Sequence, residues 1–266
     1  MIKITNLTKS YSKTKIVDDL SLEIKKGSIF GFLGPNGAGK TTTIKMLVGL
    51  SKPDGGEIKI EDKNISKSRE IIGFMPEDPY FYDHLTALEF LQYMGSLFDL
   101  PRHPELPHSH PEQSEGSRPR AGGFARFFAN AQNDKIGILN KINQLLGLVG
   151  LGKAKNQPIE YFSKGMKQRL GLAQAIINDP DYIFLDEPLD GLDPIGRREF
   201  KEILLELKKR GKTIFFNSHI LSDVEEICDQ IGIINKGKLI YSGDVKGFCK
   251  NKSLEDAFVD KILTIK

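Results

Sequence analysis

Residues Gly34 to Thr41 read G-P-N-G-A-G-K-T, between a short apolar run, Ile29 to Leu33, and a stretch of helical spacing from about Lys40 to Leu50. Buried strand, Gly-rich turn, then helix is the order a phosphate cradle requires. Glycines let backbone N–H groups turn inward on a β-phosphate, and the helix dipole adds positive potential. Lys40 supplies a charge to the β- and γ-phosphates, and the Thr41 hydroxyl is placed for Mg²⁺. Gly34, Pro35, Asn36, Gly37, Ala38, Gly39, Lys40, Thr41 and Thr42 are therefore the candidate nucleotide-binding residues. A plain Gly-rich turn is the rival reading, and it requires neither the eight matched positions nor their context.

Hydrolysis needs a second half. Residues 182 to 188 read Y-I-F-L-D-E-P, a buried strand ending in two carboxylates. Asp186 is the candidate Mg²⁺ holder, and Glu187, at the strand's exit, is the candidate general base for an attacking water. Adjacent acids at a strand end can also be helix caps or surface charges.

Around these motifs, apolar runs alternate with helical patterns, which predicts an α/β fold with a mainly parallel sheet. Ile2–Leu7 and Val17–Ile24 read as N-terminal strands joined by a polar turn, and Ile183–Leu185 and Thr213–Phe216 as buried strands. Between the latter two runs a helix with Asp193 as its N-cap, Pro194 in its first turn, three basic residues at its end and Gly211 beyond. A last helix is expected over about Ser253–Leu263. No internal repeat is visible.

One segment departs from this pattern. From Pro101 to about Asp134 lie three of the five histidines and five of the thirteen prolines, with no helical or strand period in the first half. It reads as a loop or disordered insertion. His103, His108 and His110 suggest a metal cluster, but no cysteine or ordered scaffold supports one. The wording also resembles translated interspersed repeats of bacterial proteins, a resemblance that implies a passenger segment. Flanking it, Thr86–Leu100 and Lys135–Leu148 have helical spacing.

Bulk properties exclude several classes. Net charge is +3 over 266 residues, too mild for a nucleic-acid partner to be expected. The longest apolar runs are far too short to span a bilayer, and Lys3, Asn6 and Thr8 interrupt any leader. A cytoplasmic chain is expected, acting on a membrane only through a partner. Cys228 and Cys249 form no CxxC pair and imply no disulfide framework.

The stretch Tyr161–Pro194, YFSKGMKQRLGLAQAIINDPDYIFLDEPLDGLDP, resembles ATP-binding cassette (ABC) ATPases of membrane transporters, a resemblance covering nearly all of the chain except the insertion. In that family an L-S-G-G-Q motif opens a helix and contacts ATP held by a second subunit. Here it is Phe162-Ser163-Lys164-Gly165-Met166, different at three of five places but keeping Ser163 and Gly165. Ser163 can N-cap the helix and offer an anion site, or merely start the helix. The S-K-G-M form resembles the branch serving drug, lipid or polysaccharide exporters and ABC-2-type permeases.

The resemblance extends to smaller motifs. Leu189–Asp193 is similar to the D-loop, where Asp193 would meet the opposite subunit, and Asn217-Ser218-His219 to the switch segment whose histidine touches the γ-phosphate. A lone histidine at a strand end is otherwise structural. Tyr11 lies where the family stacks an aromatic on adenine, with turn packing the alternative. Glu77 stands where a Mg²⁺-ligating glutamine is usual; it still offers oxygen, with added charge. Tyr80, Phe81 and Tyr82 come next in a Pro-containing loop, either a docking surface for a partner helix or, for one or two of them, core packing.

The resemblance implies an ABC ATPase fold: a P-loop core with a mainly parallel sheet, an N-terminal antiparallel β subdomain and an α-helical subdomain. The ATPase domain is expected over 1–245, with the helical subdomain at about 84–160 and a short helical tail over 246–266. It implies ATP and Mg²⁺ as cofactors, a transmembrane permease as partner, and a second ATPase subunit, homodimeric or a paralogue, completing an ATP sandwich. It places the chain on the inner face of the cell membrane through that permease. A non-transport cassette acting on ribosomes or DNA is the rival enzyme, but no paired cassette, coiled coil or basic arm is present. A catalytically dead cassette is the rival binding module, which the presence of Lys40, Asp186, Glu187 and His219 argues against.

Overall fold

The computed structural model describes residues 1–97 and 135–264. The expected insertion, 101–134, lies outside the described residues, as do its histidines. Strands in chain order are β1 (Ile2–Tyr11), β2 (Thr14–Ile24), β3 (Ile29–Leu33), β4 (Gly55–Ile60), β5 (Lys63–Asn64), β6 (Ile72–Met75), β7 (Tyr182–Asp186), β8 (Thr213–Asn217), β9 (Gln230–Asn235) and β10 (Lys238–Asp244). The helices are α1 (Lys40–Leu47), α2 (Ala87–Ser96), α3 (Lys135–Leu148), α4 (Lys164–Ile176), α5 (Pro194–Lys209), α6 (Leu221–Ile227), α7 (Val245–Cys249) and α8 (Leu254–Thr264).

Two sheets result. The antiparallel one runs β2-β1-β4-β5, and the larger runs β10-β9-β3-β8-β7-β6 with only the β10–β9 pair antiparallel. The first two strands extend past the expected Leu7 and begin before the expected Val17, because irregular register between Ile4 and Ser10 breaks the alternation that marks a strand in sequence. Helix α1 stops at Leu47 rather than Leu50, as Gly49 takes φ +75° just beyond its cap. The helix after Asp193 ends as expected, with Gly211 at φ +84°.

The inner strands β3, β7 and β8 of the larger sheet are buried on both faces, so they read as unbroken apolar runs. Ile29, Leu33, Ile183, Leu185, Ile214 and Phe216 face one core, shared with α2 to α6. Phe30, Phe32, Tyr182, Phe184 and Phe215 face the other, shared with α1 and the antiparallel sheet. There Phe30 stacks on Phe215 with centroids 5.6 Å apart, and Phe32 and Phe184 tilt against the same ring. This packing fixes the relative height of β3, β8 and β7, hence of the loops at their C-terminal ends.

Candidate functional site

Parallel strands deliver their C-terminal ends to one edge of a sheet, the usual place for a ligand in such folds. Here the ends of β3, β8, β7 and β6 carry the Gly34–Thr41 loop, Asn217–His219, Asp186–Glu187 and Glu77. A cavity of about 590 Å³ opens there, lined by Tyr11, Asn36, Gly37, Gly39, Lys40, Thr41, Thr42, Glu77, Glu187 and His219, together with Ile16 and Asp190.

The loop owes its shape to glycine. Gly39 adopts φ +107° at the start of α1, and a Cβ there would lie 2.6 Å from the Ile16 carbonyl oxygen. A Cβ on Gly34 would meet the Ile234 carbonyl at 2.3 Å. Lys40, buried, donates from Nζ to the Gly34 and Pro35 carbonyls at 2.8 and 3.4 Å, which centres its charge in the loop. The Ala38 amide donates to the Pro35 carbonyl at 3.1 Å and so closes the loop itself. Gly34 and Pro35 line a smaller adjoining cavity of about 250 Å³ with Ser218, His219 and Phe258.

Asn217, fully buried at the end of β8, organises the two acids. Its Nδ2 donates to Asp186 Oδ1 at 2.5 Å, and its Oδ1 accepts the Glu187 amide at 2.8 Å. Asp186 Oδ1 also accepts from the Thr41 hydroxyl at 3.3 Å. Glu187 turns out of the strand at φ +48°. One of its oxygens, Oε2, is engaged by the His219 amide at 3.2 Å and by His219 Nδ1 at 2.9 Å, while Oε1 lies 3.9 Å from Lys40 Nζ. Strand exits commonly hold such sparsely populated backbone angles where function demands an aimed side chain.

Glu77 joins the cavity from the end of β6, and the Gln168 amide of α4 donates to its backbone carbonyl at 3.3 Å. Burial, then the nearby Asp186, Asp78, Glu187 and Asp190 carboxylates, raise the Glu77 side-chain pKa above its ordinary value. Thr41 and Asp186, 3.3 Å apart, carry hard oxygen donors of the kind Mg²⁺ takes, and Glu77 brings another to the same cavity. Tyr11, at the tip of the β1–β2 hairpin, exposes half its surface at the cavity rim, with Lys9 Nζ 5.5 Å from its ring centroid.

Ser163 and Gly165 are not brought to this cavity. They line a separate one of about 470 Å³ with Gly191, Asp193, Ile195 and Gly196. Ser163 caps α4, accepting from the Met166 amide at 3.2 Å. Lys164 is tied to Asp190 at 3.1 Å. Asp193 caps α5, accepting from the Gly196 amide at 2.6 Å. Of the loop aromatics, Phe81 is buried edge-on against Phe90, whereas Tyr80 and Tyr82 are exposed, 83% and 42% respectively. The core-packing reading therefore holds for Phe81, and Tyr80 and Tyr82 are left at the surface.

Sequence reasoning passes over Asn217 as a site-forming side chain, and also Gln168, Ile16 and Asp190. Only Asn217 carries a signal: a polar residue ending a buried apolar strand beside the candidate histidine.

The family described as ABC transporter matches residues 17–190. An uncharacterised ABC transporter ATP-binding protein of Synechocystis is 44% identical over 237 residues, 88% of this chain and 58% of the relative. The bacitracin transport ATP-binding protein BcrA of Bacillus licheniformis is 41% identical, over 90% of this chain and 68% of its own length. The lantibiotic transport ATP-binding protein SrtF of Streptococcus pyogenes is 37% identical, over 99% and 98%. The chain thus spans little more than half the length of some relatives and nearly all of another. In fold, an ATP-binding subunit of an ABC transporter superposes with TM-score 0.76 at 24% identity, over 98% of this chain and 99% of that one. A dimeric ATP-binding cassette bound to ADP and Pi gives 0.73 at 23%, over 93% and 100%.

Proposed function

The chain belongs to the ABC transporter family, and from that premise we propose that it is the ATP-binding and ATP-hydrolysing subunit of a transporter, powering a separate transmembrane permease. The convergence of Lys40, Thr41, Glu187 and His219 on one cavity, with Asp186 bonded to Thr41, carries this reading. Among the described residues no helix is long and apolar enough to cross a membrane, which fits a subunit seated on a permease's cytoplasmic side. The S-K-G-M motif favours an exporter.

The chemistry comes from the placements. The Gly34–Thr42 loop and Lys40 hold the β- and γ-phosphates, and Tyr11 stacks on the adenine. Thr41, Asp186 and Glu77 would hold Mg²⁺, which when bound offsets charge on the phosphates. Glu187 takes the proton from the attacking water, its carboxylate aimed by His219 on one side and by Asn217 through the backbone. His219 faces the γ-phosphate. Ser163 and Gly165 lie in a different cavity of the same chain, so they serve the ATP of a second subunit, a copy or a paralogue, in a head-to-tail sandwich. The exposed Tyr80 and Tyr82 offer the permease a docking surface.

Glu187→Gln tests the assignment. The variant should bind ATP, dimerise in its presence and lose about two to four orders of magnitude in turnover, as expected for removal of a general base. Phosphate release at the wild-type rate would remove Glu187 from the role proposed.

A further inference from the structure

Asp223 lies in the first turn of α6, the helix that begins just after His219, and is 5% exposed. Its Oδ1 accepts from Lys201 Nζ at 3.0 Å, and that ammonium also engages Glu226. Its Oδ2 has no hydrogen-bond partner. Arg197 Nη1 stands 3.9 Å from that oxygen, just beyond bonding distance. The same guanidinium is already anchored, since its Nε donates to the Leu192 carbonyl at 3.1 Å. Leu192 immediately precedes Asp193, the N-cap of α5.

A buried carboxylate oxygen without a partner is costly, and a planar guanidinium is well suited to bridge two acceptors at once. A shift of about 1 Å would bring Nη1 into normal bonding range of Asp223 Oδ2. Movement of the Leu192–Asp193 segment or of α6 would supply such a shift, because Arg197 is held to the first and faces the second. Lys201, bonded to both Asp223 and Glu226, holds α6 to the body of α5 meanwhile. The outcome at the other end is the His219–Glu187 contact, four residues upstream of Asp223.

We propose that Arg197 is a positioning residue that couples seating of the second subunit on the Leu192–Asp193 segment to the orientation of His219, through closure of its contact with Asp223. This rests on the reading of the chain as a dimerising ATPase. Arg197 does not line the nucleotide cavity, and it acts on His219 through α6.

The experiment is steady-state ATPase kinetics of the full chain, wild type against Arg197→Met and Arg197→Lys, with ATP binding and thermal melting measured alongside. Arg197→Met keeps the aliphatic stem at a one-third exposed position but cuts the bridge. It should bind ATP and melt as wild type does, while kcat falls about tenfold or more and cooperativity in ATP is lost. Arg197→Lys keeps the charge but not the fork, and should restore melting without restoring cooperativity if Arg197→Met melts early. Should either folded variant keep wild-type kcat and cooperativity, the coupling role is overturned. Wild-type protein that binds ATP without turning it over would instead overturn the functional reading itself.

Discussion

Asn217 shows what a single buried side chain does here. Its amide spans Asp186 and the Glu187 backbone, so two neighbouring acids on one strand end are aimed at different partners. Asn217→Ala removes both bonds, one of them to a charged acceptor, and should cost about 2–4 kcal/mol in urea denaturation. Turnover should fall further than ATP affinity, since Lys40 and the loop keep their own contacts. The Lys40, Asp186 and Glu187 positions are legible in sequence because each belongs to a contiguous motif. The role of Asn217 is not, because its partners lie about thirty residues upstream and an asparagine ending a strand does not name them.

At the scale of elements, the caps are legible and the uses of the capped helices are not. Ser163 and Asp193 are expected as N-caps from residue type and position alone, and both bond to the amide three residues on. The same Ser163 hydroxyl is assigned to a second subunit's ATP, and the two roles separate by substitution. Ser163→Gly should cost only about a few tenths of a kcal/mol in helix stability, against about 1 kcal/mol for Ser163→Ala. If the hydroxyl serves catalysis, both variants lose turnover to the same degree, measured by phosphate release. Loss that tracks melting temperature instead leaves Ser163 as a cap alone. The Tyr80–Tyr82 run belongs to this scale too. Its sequence gives three adjacent aromatics, and only the packing of Phe81 on Phe90 sorts the buried one from the exposed pair.

Across the whole molecule, the two sheets are held by Phe30, Phe184 and Phe215 in one core and by a polar link at its edge. The Tyr182 hydroxyl of β7 donates to Glu61 Oε1 at 2.6 Å, and Lys26 pairs with the same oxygen at 2.9 Å. The Tyr182 bond, then Lys26, hold the Glu61 carboxyl down at about 2, against an ordinary value of 4.5. A depressed carboxyl stabilises the fold above its unfolded value and loses that contribution as pH falls toward the folded one. The stability gap between wild type and Glu61→Gln should therefore be full at neutral pH and shrink between pH 4.5 and about 2, read from urea midpoints. A gap independent of pH would refute the link. By itself, the sequence determined the phosphate loop, the strand-end acids, the helix caps and the α/β class, all of which depend on residues within a few positions of one another. Tertiary structure alone decided that β8 lies between β3 and β7, which brings Asn217 and His219 to the acids and the loop. It alone put Ser163 and Gly165 in a different cavity. Strand order is set by the packing of distant apolar faces, and no local period of the chain encodes it.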